Sequence, residues 1–185
     1  MIEDFLASQI HELKEKTKDS DGSSVDESIG VHDACLEEIE VIFPSIQRRA
    51  GVIVSYSVLE HQMQQICEFI EKELDSIIKL KDLASNGIID QCQKYLEKVV
   101  LVSFPKQEAA WKEILFIQQI RNILVHADGT VKTGNKALRG YISQNKYLDI
   151  SNDNKVVLLA GFTVHCVDVY CHFLTDLYLS MSVEN

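Results

Sequence analysis

The stretch Ile120-Arg121-Asn122-Ile123-Leu124-Val125-His126-Ala127-Asp128-Gly129 decides how the rest of the chain is read. Upstream of and within it, Ala110, Ile114, Ile117, Ile120, Ile123 and Leu124 recur at three-and-four spacing, which predicts a helix over 107–125 with a wide buried face. Gly129 then supplies the stop, because glycine tolerates the left-handed backbone that ends helices. Three polar side chains, Arg121, Asn122 and His126, are thereby gathered at the end of an apolar helix.

Asn122 and His126 are four apart and share a helix face, whereas Arg121 and His126 begin about 140° apart around the axis. A long Arg closes that gap if His126 lies in a fraying last turn, and ring and guanidinium then reach one phosphate. The plainer reading is that the helix dipole favours a His in its last turn and that Arg beside Asn makes a solvated face.

Outward from this helix the chain is mostly helical. Ile53, Tyr56, Met63, Cys67, Ile70 and Leu74 mark the inner stripe of a long helix over 45–74, with Glu60 interrupting it. A carboxylate on a buried face needs a cation or several donors. Arg121 is the first candidate; a marginal Glu60 facing water, or paired with Arg49 or His61, is the second. Further helices are expected over 2–17, 26–41, 77–84, 88–102, 136–143 and 161–181, with a flexible linker over 18–24. Pro44 marks the end of one helix or the first turn of the next, and Pro105 with Glu108 suits a helix start. The segments 146–150 and 155–158 flank Ser151-Asn152-Asp153-Asn154 as a β-hairpin before the last helix, and 130–135 reads as a mobile loop. The final helix is apolar nearly all round and asks to be covered on more than one side, by its own core and by another subunit. The fold class is therefore all-α, a helical bundle with a small β-hairpin insertion. It divides into an acidic N-terminal helix and linker, 1–25, and a helical domain, 26–185.

The 185 residues suit one core, and 46% hydrophobic with 25% charged residues is ordinary for a globular protein. No uninterrupted apolar segment reaches bilayer length, and the acidic start lacks the basic and apolar regions of a secretory signal, so no membrane partner and a cytoplasmic location are expected. Five widely spaced cysteines read as reduced thiols. The net charge is −10, but residues 1–40 hold twelve acidic side chains against three lysines, so the acidity belongs to the N-terminus. Between Asp128 and Lys155 the balance turns locally positive; Lys132, Lys136 and Arg139 form a modest candidate phosphate rim, well short of a broad basic face. Trp111 is a core or interface anchor, with base stacking the lesser use.

Other chemistries find little support. His165, Cys166, Cys171 and His172 are ligand types, but the two cysteines diverge on a helix and the segment cannot offer four tetrahedral ligands without unwinding. There is no Gly-rich phosphate loop, no Gly-x-Ser-x-Gly elbow and no paired-cysteine knuckle, so no metal and no cofactor are expected. His32 three residues before Cys35 is the one nucleophile–base pairing, and nothing else marks it as a site.

Ile120 to Gly129 resembles the Arg, four to six residues, His signature of the HEPN superfamily, with the Asn after the Arg that many members carry. The likeness extends as a pattern over about residues 45–182, through the long helix around Glu60 and the helix after the motif. It implies a HEPN-like bundle acting as a metal-independent endoribonuclease of toxin–antitoxin or phage-defence type. His126 would move the proton, Arg121 would hold the phosphoryl charge and Asn122 would orient, with Glu60 and Asp128 in support. Because one imidazole cannot serve as base and acid together, the resemblance implies a homodimer with two motifs meeting, an RNA substrate, and an antitoxin or other protein partner. The alternative is a non-catalytic dimeric interaction module whose Arg121–Glu60 pair is structural and whose acidic arm binds a protein.

Overall fold

A computed structural model describes residues 38–182. The helix and linker expected over 2–24 lie outside the described residues, as does most of that over 26–41, whose end is a π-helical turn, Glu38–Ile42. The chain divides between Ala50 and Gly51, within the long helix, and the buried core and the sites described below belong to the second unit.

The described residues hold five α-helices and one two-stranded hairpin. The long helix α1 spans Phe43–Glu73, with Pro44 in its first turn, where a missing N–H costs nothing. Its buried face is Val52, Tyr56, Leu59, Met63 and Cys67, with Ile53 and Ile70 only partly covered and Leu74 exposed. The expected stripe was therefore centred one position too far round: Leu59 is the buried residue, and Glu60 lies on the flank. The helix expected over 77–84 is a single 3-10 turn, Leu80–Asp82. Only Leu80 in that segment is fully buried while Ile77 is 95% exposed, so there was no continuous apolar face to hold a longer helix.

Helix α2, Ile88–Lys98, stops four residues before its expected end. The chain then turns back through Leu101 at a φ of 66°. Asp90 secures the start of α2: its carboxylate accepts from the Asn86 amide and the Lys94 ammonium, each at 2.8 Å. Helix α3, Ala109–His126, begins after Glu108, and Pro105 belongs to the turn before it, its carbonyl accepting from the Glu108 amide. The last turn closes as the glycine signal indicates, with the amides of Ala127 and Gly129 both donating to the Ile123 carbonyl.

The segment after α3 is pinned, contrary to the mobile loop expected there. Thr130 forms a bridge with Lys155, the Val131 amide donates to the Asn154 carbonyl and the Val156 amide to that of Gly129. These bonds satisfy backbone groups that an open loop leaves to water. Helix α4, Lys136–Gln144, is capped by Asn135, whose Oδ1 accepts from the Leu138 amide at 3.2 Å. Strands β1, Leu148–Ile150, and β2, Val156–Leu158, pair antiparallel with Leu148 opposite Leu158.

Helix α5, Phe162–Ser182, packs into the bundle through Phe162, Cys166, Val169, Tyr170, Phe173 and Leu177. Phe173 meets Trp111 of α3 at 5.1 Å between ring centroids and Phe104 at 5.7 Å, which makes Trp111 a core residue. Gly51 lets α1 approach α5 closely, since a Cβ there would stand 2.8 Å from the Thr163 hydroxyl. The outer side of α5 is apolar and open: Val164 is 65% and Tyr178 66% exposed. Cys67, Cys92 and Cys166 are buried free thiols and Cys171 is exposed. Among the described residues no helix is long and apolar enough to cross a membrane.

Candidate functional site

Two charged residues of the site follow directly after core residues. Leu59 and Ile120 are buried, and Glu60 and Arg121, one step round each helix, emerge together on the flank where α1 and α3 meet. The Arg121 Nη2 stands 4.0 Å from Glu60 Oε2, with side-chain exposures of 25% and 17%. The guanidinium also lies over the Tyr56 ring, 5.8 Å from its centroid, and its Nη1 donates to Asn122 Oδ1 at 3.1 Å. Its Nε is buried and has no hydrogen-bond partner among the described residues.

At 4.0 Å this is an ion pair without a close hydrogen bond. Burial pushes the Glu60 carboxyl above its usual range, and the pull of Arg121 only partly opposes that. Burial together with the Glu60 charge likewise raises the Tyr56 hydroxyl, with Arg121 acting the other way. Glu60, Arg121 and Tyr56 thus form one coupled group. Tyr56 read as a core residue in the sequence; its place four residues before Glu60 on the same face was the available sign that it would carry the cation.

His126 and Asn122 occupy the other side of α3 and are exposed. Among the described residues the His126 ring has no hydrogen bond or ion pair with Arg121, so within one chain the two are not joined. Asn122 holds Arg121 through its Oδ1. Asp128, at a φ of 46°, forms an ion pair with Lys155, tying the end of α3 to the hairpin. Lys132 and Lys136 are exposed, while Arg139 is half-buried and donates to Asn154 Oδ1 at 3.2 Å. The candidate rim is therefore two open lysines and one arginine engaged with the hairpin.

A second constellation went unread in the sequence. Glu113 Oε1 accepts from the Tyr141 hydroxyl at 2.8 Å and lies 2.7 Å from His165 Nε2, while Asn145 Nδ2 donates to the same hydroxyl at 3.2 Å. Burial, then the adjacent carboxylate, keeps the Tyr141 hydroxyl protonated far beyond its usual range. His165 and Tyr141 lie 52 and 28 residues from Glu113, a separation that no local motif spans. Among the described residues no cluster of His, Cys, Asp and Glu is arranged to hold a metal ion.

Comparison of the chain with protein-family models, with curated proteins and with solved structures gave no match.

Proposed function

We propose that the chain is a HEPN-like, metal-independent endoribonuclease of toxin–antitoxin or phage-defence type that works as a homodimer. The observation that carries the reading is the Arg121 group: a guanidinium held at the edge of the bundle by Glu60, Asn122 and Tyr56, on the helix that ends in the exposed His126. In this reading an RNA 2′-hydroxyl attacks its adjacent phosphate, and a cyclic phosphate and a 5′-hydroxyl result. His126 moves the proton and Arg121 neutralises the phosphoryl oxygens as charge builds. Two imidazoles, one neutral and one protonated, come from two chains.

The apolar outer faces support pairing of chains. On α1, Val54, Val58 and Phe69 fall within a sector of about 60°, and on α5 Val164, Val167 and Tyr178 do the same. Both sets are exposed in the single chain, the condition that association relieves. A dimer also supplies the second imidazole that the two proton transfers call for.

The test is RNA cleavage by the purified protein in the presence of a chelator. His126→Ala and Arg121→Ala should each abolish cleavage, with His126→Ala leaving fold and dimer intact. A second reading, a non-catalytic interaction module, is favoured by the engagement of Arg121, whose three nitrogens are all either paired or buried. It would stand if the wild-type dimer cleaves no RNA while both variants still bind the same protein partner.

A further inference from the structure

We propose that the cleft between α3, α4 and α5 is a small-molecule site for a hydroxylated aromatic acid. The proposal is independent of the Arg121–His126 reading and uses none of its residues.

The cleft measures about 580 Å³, within the range of sites that enclose a small ligand. Its walls are aromatic and fixed. Phe116 and Tyr141 stack with centroids 4.7 Å apart and planes within 5°. Tyr147 is seated on Gly161, where a Cβ would come within 2.9 Å of its ring, and the backbone there, at a φ of 93°, is one that glycine adopts without strain. Tyr141 is held by Glu113 and Asn145. A planar ring meets walls that need no ordering on binding.

The polar floor then selects what the ring carries. Glu113 Oε1 already takes two contacts, but its Oε2 has no partner among the described residues. An open carboxylate oxygen calls for a donor on the ligand.

Charge decides which donor. Lys112 and Lys146 line the cleft and are exposed, against the single carboxylate of Glu113, so an ammonium is disfavoured and an anion welcomed. Lys146 already lies over the Tyr147 ring, 4.8 Å from the centroid, which occupies that ring face with a cation. A neutral hydroxyl on the ring gives its one proton to the open Glu113 oxygen, and an acid beyond it meets the two lysines.

The probe is 4-hydroxyphenylacetate, titrated calorimetrically into the full chain, beside phenylacetate, which lacks the hydroxyl, and 4-hydroxyphenylacetamide, which lacks the charge. The expected result is saturable binding of one molecule per chain below about 1 mM, with each truncated probe about tenfold weaker. Lys112→Ala should weaken the acid about fivefold or more and leave the amide unchanged, and Glu113→Gln should erase the preference for the hydroxyl. Lys112 is exposed, so its variant decides the matter even if Glu113→Gln unfolds the chain. Absence of saturable binding up to about 10 mM, equal affinity for the three probes, or affinity unmoved by Lys112→Ala would overturn the proposal.

Discussion

Glu60 and Arg121 form one ion pair, yet removing either partner should have unequal consequences. At 4.0 Å and an effective dielectric of about 20, their gross attraction is about 4 kcal/mol. Against it stands the cost of withdrawing the carboxylate from water, and that cost is the larger effect on Glu60, since its carboxyl is pushed above the usual range despite the adjacent guanidinium. Glu60→Gln removes attraction and desolvation cost together, so stability at neutral pH should change by no more than about 1 kcal/mol. Arg121→Gln removes the attraction, the contact with the Tyr56 ring and the bond to Asn122, and leaves a half-buried carboxylate; the loss should be about 2–3 kcal/mol. The sign of the pH dependence follows from the raised carboxyl. Its folded value lies above its unfolded one, so the associated stability is full below the ordinary value of 4.5 and is lost as pH rises through the raised one. Urea denaturation of wild type and Glu60→Gln from about pH 4 to pH 8 should therefore show the wild type losing ground to the variant as pH rises. A wild type that gains on Glu60→Gln over that range, or equal losses for the two variants at neutral pH, would refute the reasoning and make the pair a net stabilising contact.

Three further outcomes are expected. Gly161→Ala should cost about 2 kcal/mol by thermal denaturation, because it combines a φ of 93° with a Cβ 2.9 Å from the Tyr147 ring. Phe173→Ala removes a fully buried ring that touches Phe104 and Trp111, and a loss of about 3–5 kcal/mol with a changed near-ultraviolet signal from Trp111 should accompany it. Asp90 has its carboxyl held below the usual range by Lys94 first and the Asn86 amide second, so its contribution is present above 3.8 and disappears as pH falls through the depressed value. An acid titration followed by circular dichroism should show the advantage of wild type over Asp90→Asn vanishing at low pH.

The sequence by itself determined the helical class, the hairpin before the last helix and the ends of α3 and α5 to within two residues. These depend on local periodicity and on turn residues, both of which are written along the chain. It also pointed to the meeting of Glu60 and Arg121, because a carboxylate beside an apolar stripe needs a cation. It misplaced the centre of that stripe by one position, since Leu59 and Glu60 differ by about 100° and a pattern fixes a helix's rotation no better than that. The segment 77–84 failed for a related reason: Ile77 and Ile78 look like core residues until the neighbouring helices are seen to leave them outside.

Only the tertiary structure decided which side chains share a site. It turned Arg121 toward α1 while His126 faces outward, a division that depends on where α1 packs and not on the motif's spacing. It engaged Asp128 with Lys155 and Arg139 with Asn154, contacts across 27 and 15 residues of chain. And it brought Glu113, Tyr141 and His165 together from three helices, with no single segment carrying the signal. Periodicity says which face of a helix is buried; which residue of another helix stands opposite is set by crossing angle and axial offset, and those come from the packing of the whole core.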